Sequence, residues 1–126
     1  MCGIAGYFGN SSVSENSIKE TLKLMANRGP DFSKHLSFKL SNSLNLHFLH
    51  SRLGIIDLHP RSNQPFQLDD DIIIYNGEIY NYLELANNLI SKKIKLKTNS
   101  DTEVLLNYYK IYGEKCVNYF EGMWSF

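Results

Sequence analysis

At 126 residues the chain is long enough for one hydrophobic core and not two. Its 13 Lys plus Arg are matched by 13 Asp plus Glu, so no basic excess draws it to phosphate or an anionic surface, which excludes nucleic acid and membrane as expected partners. No stretch approaches the ~18 apolar residues of a membrane span, and no basic segment precedes a long apolar run, so the expected location is cytoplasmic.

The chain opens Met1-Cys2-Gly3-Ile4-Ala5-Gly6. If Met1 is removed, Cys2 carries a thiol and a free α-amine on one carbon, and such groups ordinarily titrate within about one pH unit of each other. A nucleophile and its base would then share one residue. The alternative, an initiator Met followed by any small residue, stays open on these positions alone. Ile4, Ala5, Tyr7 and Phe8 read as a short buried strand that holds Cys2 at a sheet end. Gly9 to Ser12 is a turn, and Ser17-Ile18-Lys19-Glu20 has capping-box spacing at a helix start. Ile18, Leu22, Met25 and Ala26 form its apolar stripe, and Gly29-Pro30 ends it.

Alternation from Leu36 to Leu53 predicts a hairpin turning at Ser41-Asn42-Ser43. In its second strand Leu44, Leu46, Phe48, His50 and Arg52 share a face. His47 and His50 fall on opposite faces, so no metal is assigned to them. Arg52 closes an otherwise apolar face, where the plain role is a rim salt bridge. Asp69-Asp70-Asp71 is a solvated turn. Ile72-Ile73-Ile74-Tyr75 is a β-branched run expected to be a central strand, leading into Asn76-Gly77-Glu78. Asn-Gly is either a hairpin turn or a pair of uncharged donors suited to an oxyanion hole.

A second helix is expected from about Tyr82, with Leu85, Ala86, Leu89 and Ile90 on its apolar stripe. Ile94 to Lys97 alternates like a short strand. Thr98-Asn99-Ser100-Asp101 is an N-cap cluster before a third helix that runs to Gly113, so Asp101 sits at a helix start, where its plain role is to complement the dipole. A short helical segment from Lys115 to Phe120 and a strand at Gly122 to Phe126 complete the chain. Cys2 and Cys116 match no zinc spacing, a cytosolic thiol pool opposes their pairing, and Cys116 reads as a small core residue.

Six segments then carry a resemblance: Met1 to Gly6; Arg28-Gly29-Pro30-Asp31; His50 to Asp57; Asn76-Gly77-Glu78-Ile79-Tyr80-Asn81; Ser100-Asp101-Thr102-Glu103-Val104; and Gly122-Met123-Trp124-Ser125-Phe126. In this order they resemble the N-terminal glutamine amidotransferase domain of the asparagine synthetase family, a member of the N-terminal-nucleophile hydrolases. The resemblance covers essentially the whole chain. It implies an α+β fold, a four-layer αββα sandwich of antiparallel sheets, with residues 1–126 forming a partial domain truncated on its C-terminal side and a synthetase domain absent.

By the same resemblance, Cys2 attacks the side-chain amide of glutamine and releases ammonia for an ATP-dependent amidation. Asn76 and Gly77 would form the oxyanion hole, and Arg52 would hold the substrate carboxylate. Glu78 and Asp101 would receive its ammonium, with Ile55 and Ile56 contributing backbone groups. No cofactor is implied in this domain; ATP and magnesium are implied for the absent synthetase domain. The implied partners are glutamine and that synthetase domain, with a homodimer as an option. The other class of function is a homologous fragment that binds or scaffolds without chemistry, which has no physical need for Cys2, Arg52, Asn76, Gly77, Glu78 and Asp101 together.

Overall fold

The computed structural model describes residues 2–40 and 43–126, with seven strands and three α-helices among them. Met1 and the expected turn positions Ser41 and Asn42 lie outside the described residues.

The first sheet is antiparallel, with β1 (Gly3–Gly9) and β2 (Phe32–Lys39) flanking β3 (Asn45–Arg52). The hairpin of β2 and β3 matches the alternation in sequence, although β2 begins four residues before Leu36. β1 is an edge strand and not the buried one expected, since Phe8 is 63% exposed. The buried strand is β3. His47 and Leu49 on one of its faces share a pocket with Ile18 and Thr21 of α1 (Glu15–Met25). Phe48 on the other shares one with Ile72, Ile73 and Leu106. The cap of α1 is Ser14, whose hydroxyl accepts the Ser17 N–H, so the helix starts a turn earlier than the Ser17 signal suggested.

On the far side lie two separate two-stranded ladders, β4 (Phe66–Leu68) with β5 (Asp71–Ile73), and β6 (Asn76–Ile79) with β7 (Gly122–Ser125). The acidic run is an exposed turn, as expected, with Lys110 Nζ 2.6 Å from Asp69 and 3.4 Å from Asp71. The isoleucine run is not a central strand. Its ladder stops at Ile73 because the Tyr75 N–H and C=O are taken by side chains, Gln64 Oε1 at 2.6 Å and His50 Nε2 at 3.3 Å.

Asn-Gly is likewise no hairpin turn. Gly77 sits inside β6, where a Cβ would collide with the Met123 carbonyl oxygen and the Trp124 backbone, so glycine is what lets β7 approach.

Helices α2 (Tyr82–Ser91) and α3 (Asp101–Tyr112) cover this side, α2 burying Leu85 and Leu89 of its expected stripe while Ile90 is exposed. Together with Phe66, Ile73, Ile79, Val104, Leu105, Cys116 and Phe120 they form the main core. Cys116 is fully buried, and burial pushes its thiol pKa up. Ile94 and Leu96 pack on this core, but Ile94 to Lys97 is not a strand. The Lys97 and Thr98 N–H groups are bound by the Glu103 carboxylate at 2.7–3.0 Å and the Ile94 N–H by the Leu89 carbonyl, so these donors are not offered to a neighbouring strand. A 3-10 segment, Gly113–Tyr119, follows α3 after Gly113 ends it at φ 57°.

His50 is fully buried, and burial foremost, with the nearby Arg52 charge, lowers its pKa from 6.5 to about 4 despite the Tyr75 carbonyl bond. The unfolded chain therefore binds more protons between these values, and stability falls as pH drops from 6.5 towards 4, by about 3 kcal/mol in all. Urea midpoints measured against pH should show this acid slope, and His50→Phe should flatten it. A slope unchanged in the variant would assign it instead to His35, whose pKa burial and His47 also lower.

Candidate active site

Four chain segments far apart in sequence meet at one cavity of about 190 Å³: the start of β1, the end of β3 with the loop after it, β6, and the first turn of α3. Its walls include Cys2, Arg52, Ile55, Ile56, Gly77, Glu78 and Asp101. Of the residues singled out in the sequence, Asn76 alone is not among them. It lies at the start of β6 with its Oδ1 buried and without a partner among the described residues.

Cys2 is placed by the loop that follows β3. Its Sγ accepts from the Leu53 N–H at 3.4 Å and lies 3.7 Å from the Leu53 carbonyl, while Arg28 Nε donates to the Cys2 carbonyl at 3.1 Å. Asp31 holds the next link, accepting the Gly54 N–H at 2.7 Å. The Arg28 to Asp31 segment thus grips both sides of the thiol, contacts that its sequence did not specify.

Arg52 is 7% exposed and makes no rim salt bridge. Nη1 donates to Asn63 Oδ1 at 2.7 Å, and Nη2 donates to the carbonyls of Ile56 and Asp57. Every one of these partners is neutral or a carbonyl, so among the described residues its buried charge meets no carboxylate. An unpaired buried cation costs several kcal/mol and favours an anionic ligand beside it. The loop it threads is tied down further by Asp57. Partial burial pushes that carboxyl up, but the Asn99 and His59 N–H groups and the Arg61 guanidinium around it hold it down to about 2.

Asp101 does more than complement a helix dipole. It is 5% exposed; Oδ2 accepts from Tyr75 Oη at 2.8 Å and from the Ile79 N–H at 3.2 Å, and burial raises its pKa against these bonds. Ser100 caps α3 by accepting the Thr102 N–H, and Glu103, fully buried, organises the preceding loop through Lys97, Thr98 N and Thr98 Oγ1. Sequence reading missed Glu103, Gln64 and Tyr75. Only the placement of Glu103 three residues after the cap hinted that its carboxylate could turn back to the loop.

The cavity therefore has a thiol at one end, a cation on the β3 wall, and acids on the β6 and α3 walls. That charge pattern suits a small amino acid. The family model for the glutamine amidotransferase domain matches residues 1–126. The chain belongs to this family. The glutamine amidotransferase domain is 37% identical over 144 residues to a putative asparagine synthetase (glutamine-hydrolyzing) 2 of Methanocaldococcus jannaschii, covering all of this chain and 27% of that protein. It is 35% identical over 133 residues to asparagine synthetase (glutamine-hydrolyzing) 1 of Bacillus subtilis, and 37% identical over 132 residues to the corresponding protein 2 of Oryza sativa. All of this chain is again covered, with 20% and 21% of those proteins, so the amidotransferase domain spans about a fifth to a quarter of these relatives. No helix among the described residues is long and apolar enough to cross a membrane.

Replacing Glu103 by Gln puts an amide where three donors need an acceptor. Glu103→Gln should cost about 2 kcal/mol in urea unfolding, the scale of unsatisfied buried donors.

Proposed function

We propose that this domain hydrolyses glutamine with Cys2 as nucleophile and passes the ammonia to an ATP-dependent amidation in a longer protein. The observation that supports this most is the meeting of Cys2 Sγ, the carboxylate-free Arg52 and the buried Asp101 at one cavity. Once Met1 is removed, the Cys2 amine takes the thiol proton, and Sγ attacks the side-chain carbonyl carbon of glutamine. The C–N bond then breaks, and the same proton leaves with ammonia. Water hydrolyses the γ-glutamyl thioester to glutamate and returns the thiol.

Gly77 N–H and the Asn76 amide are the assigned oxyanion donors, worth about 2.7–4 kcal/mol each in such sites. Asn76 would turn its amide toward the cavity as substrate enters. Arg52 receives the α-carboxylate, Glu78 and Asp101 the α-ammonium. The Ile56 carbonyl is already engaged by Arg52, so Ile55 is the better candidate for a backbone contact to substrate. In the parent protein the two ladders would join one sheet of a four-layer αββα sandwich, residues 1–126 being part of that domain. ATP and magnesium belong to the portion this chain does not span. The reading places the protein in the cytoplasm, where the thiol pool keeps Cys2 reduced.

Full-length, Met-processed protein should release glutamate from glutamine, and Cys2→Ala should abolish release while leaving the melting temperature near the parent's. Glutamate release by Cys2→Ala at the parent's rate would overturn the assignment. Mass mapping should find electrophilic glutamine analogues on Cys2 and not on the buried Cys116.

Arg52→Lys keeps the charge but loses the planar fork. It should weaken glutamine binding by about 1.5–3 kcal/mol in calorimetric titration. Unchanged affinity would confine Arg52 to bracing its own loop.

A further inference from the structure

Tyr75 is 2% exposed and fixed at three points, with its N–H on Gln64 Oε1 at 2.6 Å, its carbonyl on His50 Nε2 at 3.3 Å, and its phenol on Asp101 Oδ2 at 2.8 Å. Gln64 is itself braced, donating to Thr102 Oγ1 at 3.3 Å. This interrupts the isoleucine strand, and the ladder given up there is replaced by a phenol aimed at a carboxylate that lines the cavity. The Ile79 N–H lands on the same oxygen at 3.2 Å. Both anchors hold Oδ2, so Oδ1 is the oxygen left to meet a ligand.

We propose that Tyr75 is a positioning residue for recognition of the substrate α-ammonium, acting through Asp101 by occupying Oδ2 and presenting Oδ1. The inference rests on the glutamine-hydrolysing reading above. Burial, followed by the Asp101 charge and hydrogen bond, pushes the phenol pKa well above its ordinary value of 10.0, so Tyr75 stays a donor at every working pH. The other titratable groups around Asp101 are Glu78 beside it and Cys2 and Arg52 across the cavity. Asp101 is already pushed up by burial; without the phenol it rises further, and the carboxylate form that binds ammonium is lost at a higher pH.

The test is the steady-state kinetics of full-length, Met-processed protein against pH. Tyr75→Phe should raise the glutamine KM about tenfold or more, as for loss of a charged hydrogen bond, with kcat within about twofold. The acid limb of kcat/KM should move to higher pH. A fall in kcat with KM unchanged, or superimposed pH profiles, overturns the inference while glutamate release by the parent keeps the function standing. No glutamate release by the parent overturns the function itself. If Tyr75→Phe does not fold, 3-fluorotyrosine at position 75 retains ring and hydroxyl with a stronger donor; the acid limb should then move to lower pH, and an unmoved limb overturns the inference.

Discussion

Asp101 is a carboxylate carried inside the protein at the first turn of a helix, and much of the far side of the molecule is arranged so that it can be there. Burying an ionised carboxylate costs several kcal/mol unless donors replace its water. Those donors come from three places: a phenol at the end of the isoleucine run, an N–H of β6, and the positive end of α3. Each provider is held in turn. Gln64 and His50 fix the phenol, β7 fixes β6, and Ser100 with Glu103 fixes the helix start.

Arg52 poses the same problem with the opposite sign, and the chain solves it differently. Its guanidinium is wrapped by carbonyls of the loop that follows it, which supply partial charges and no full negative one. The two buried charges thus line one cavity without neutralising each other. A scaffold would be more stable if they were paired or replaced by apolar groups. In the proposed reading, a ligand that carries both charges itself would complement that separation.

The sequence made most local structure legible and left much of the supporting chemistry hidden. Apolar periodicity located α1 and α2, the N-cap cluster marked the start of α3, whose first eight residues are all buried, and alternation located the β2–β3 hairpin. The failures share a cause. Ile72 to Tyr75 and Ile94 to Lys97 have strand-like side chains, but the Tyr75 and Lys97 N–H groups at their ends are claimed by Gln64 and Glu103, and no pattern of hydrophobicity reports a side chain that reaches in from elsewhere. A hairpin turn stayed open for Asn-Gly because its neighbour β7 is more than forty residues away. At the site, the residue types that touch a ligand stand out by chemistry, whereas Tyr75 and Gln64 resemble ordinary interior residues until their partners are seen.

The pairing of β6 with β7 sets an order of events during synthesis. Cys2 leaves the ribosome about 120 residues ahead of Met123 and Trp124, which hold Gly77 and Glu78 in place. Chains are made at roughly 5–20 residues per second, so the thiol waits several seconds without the wall that faces it. The wall that Gly77 and Glu78 give the cavity is therefore complete only when the strand that closes over Gly77 has docked.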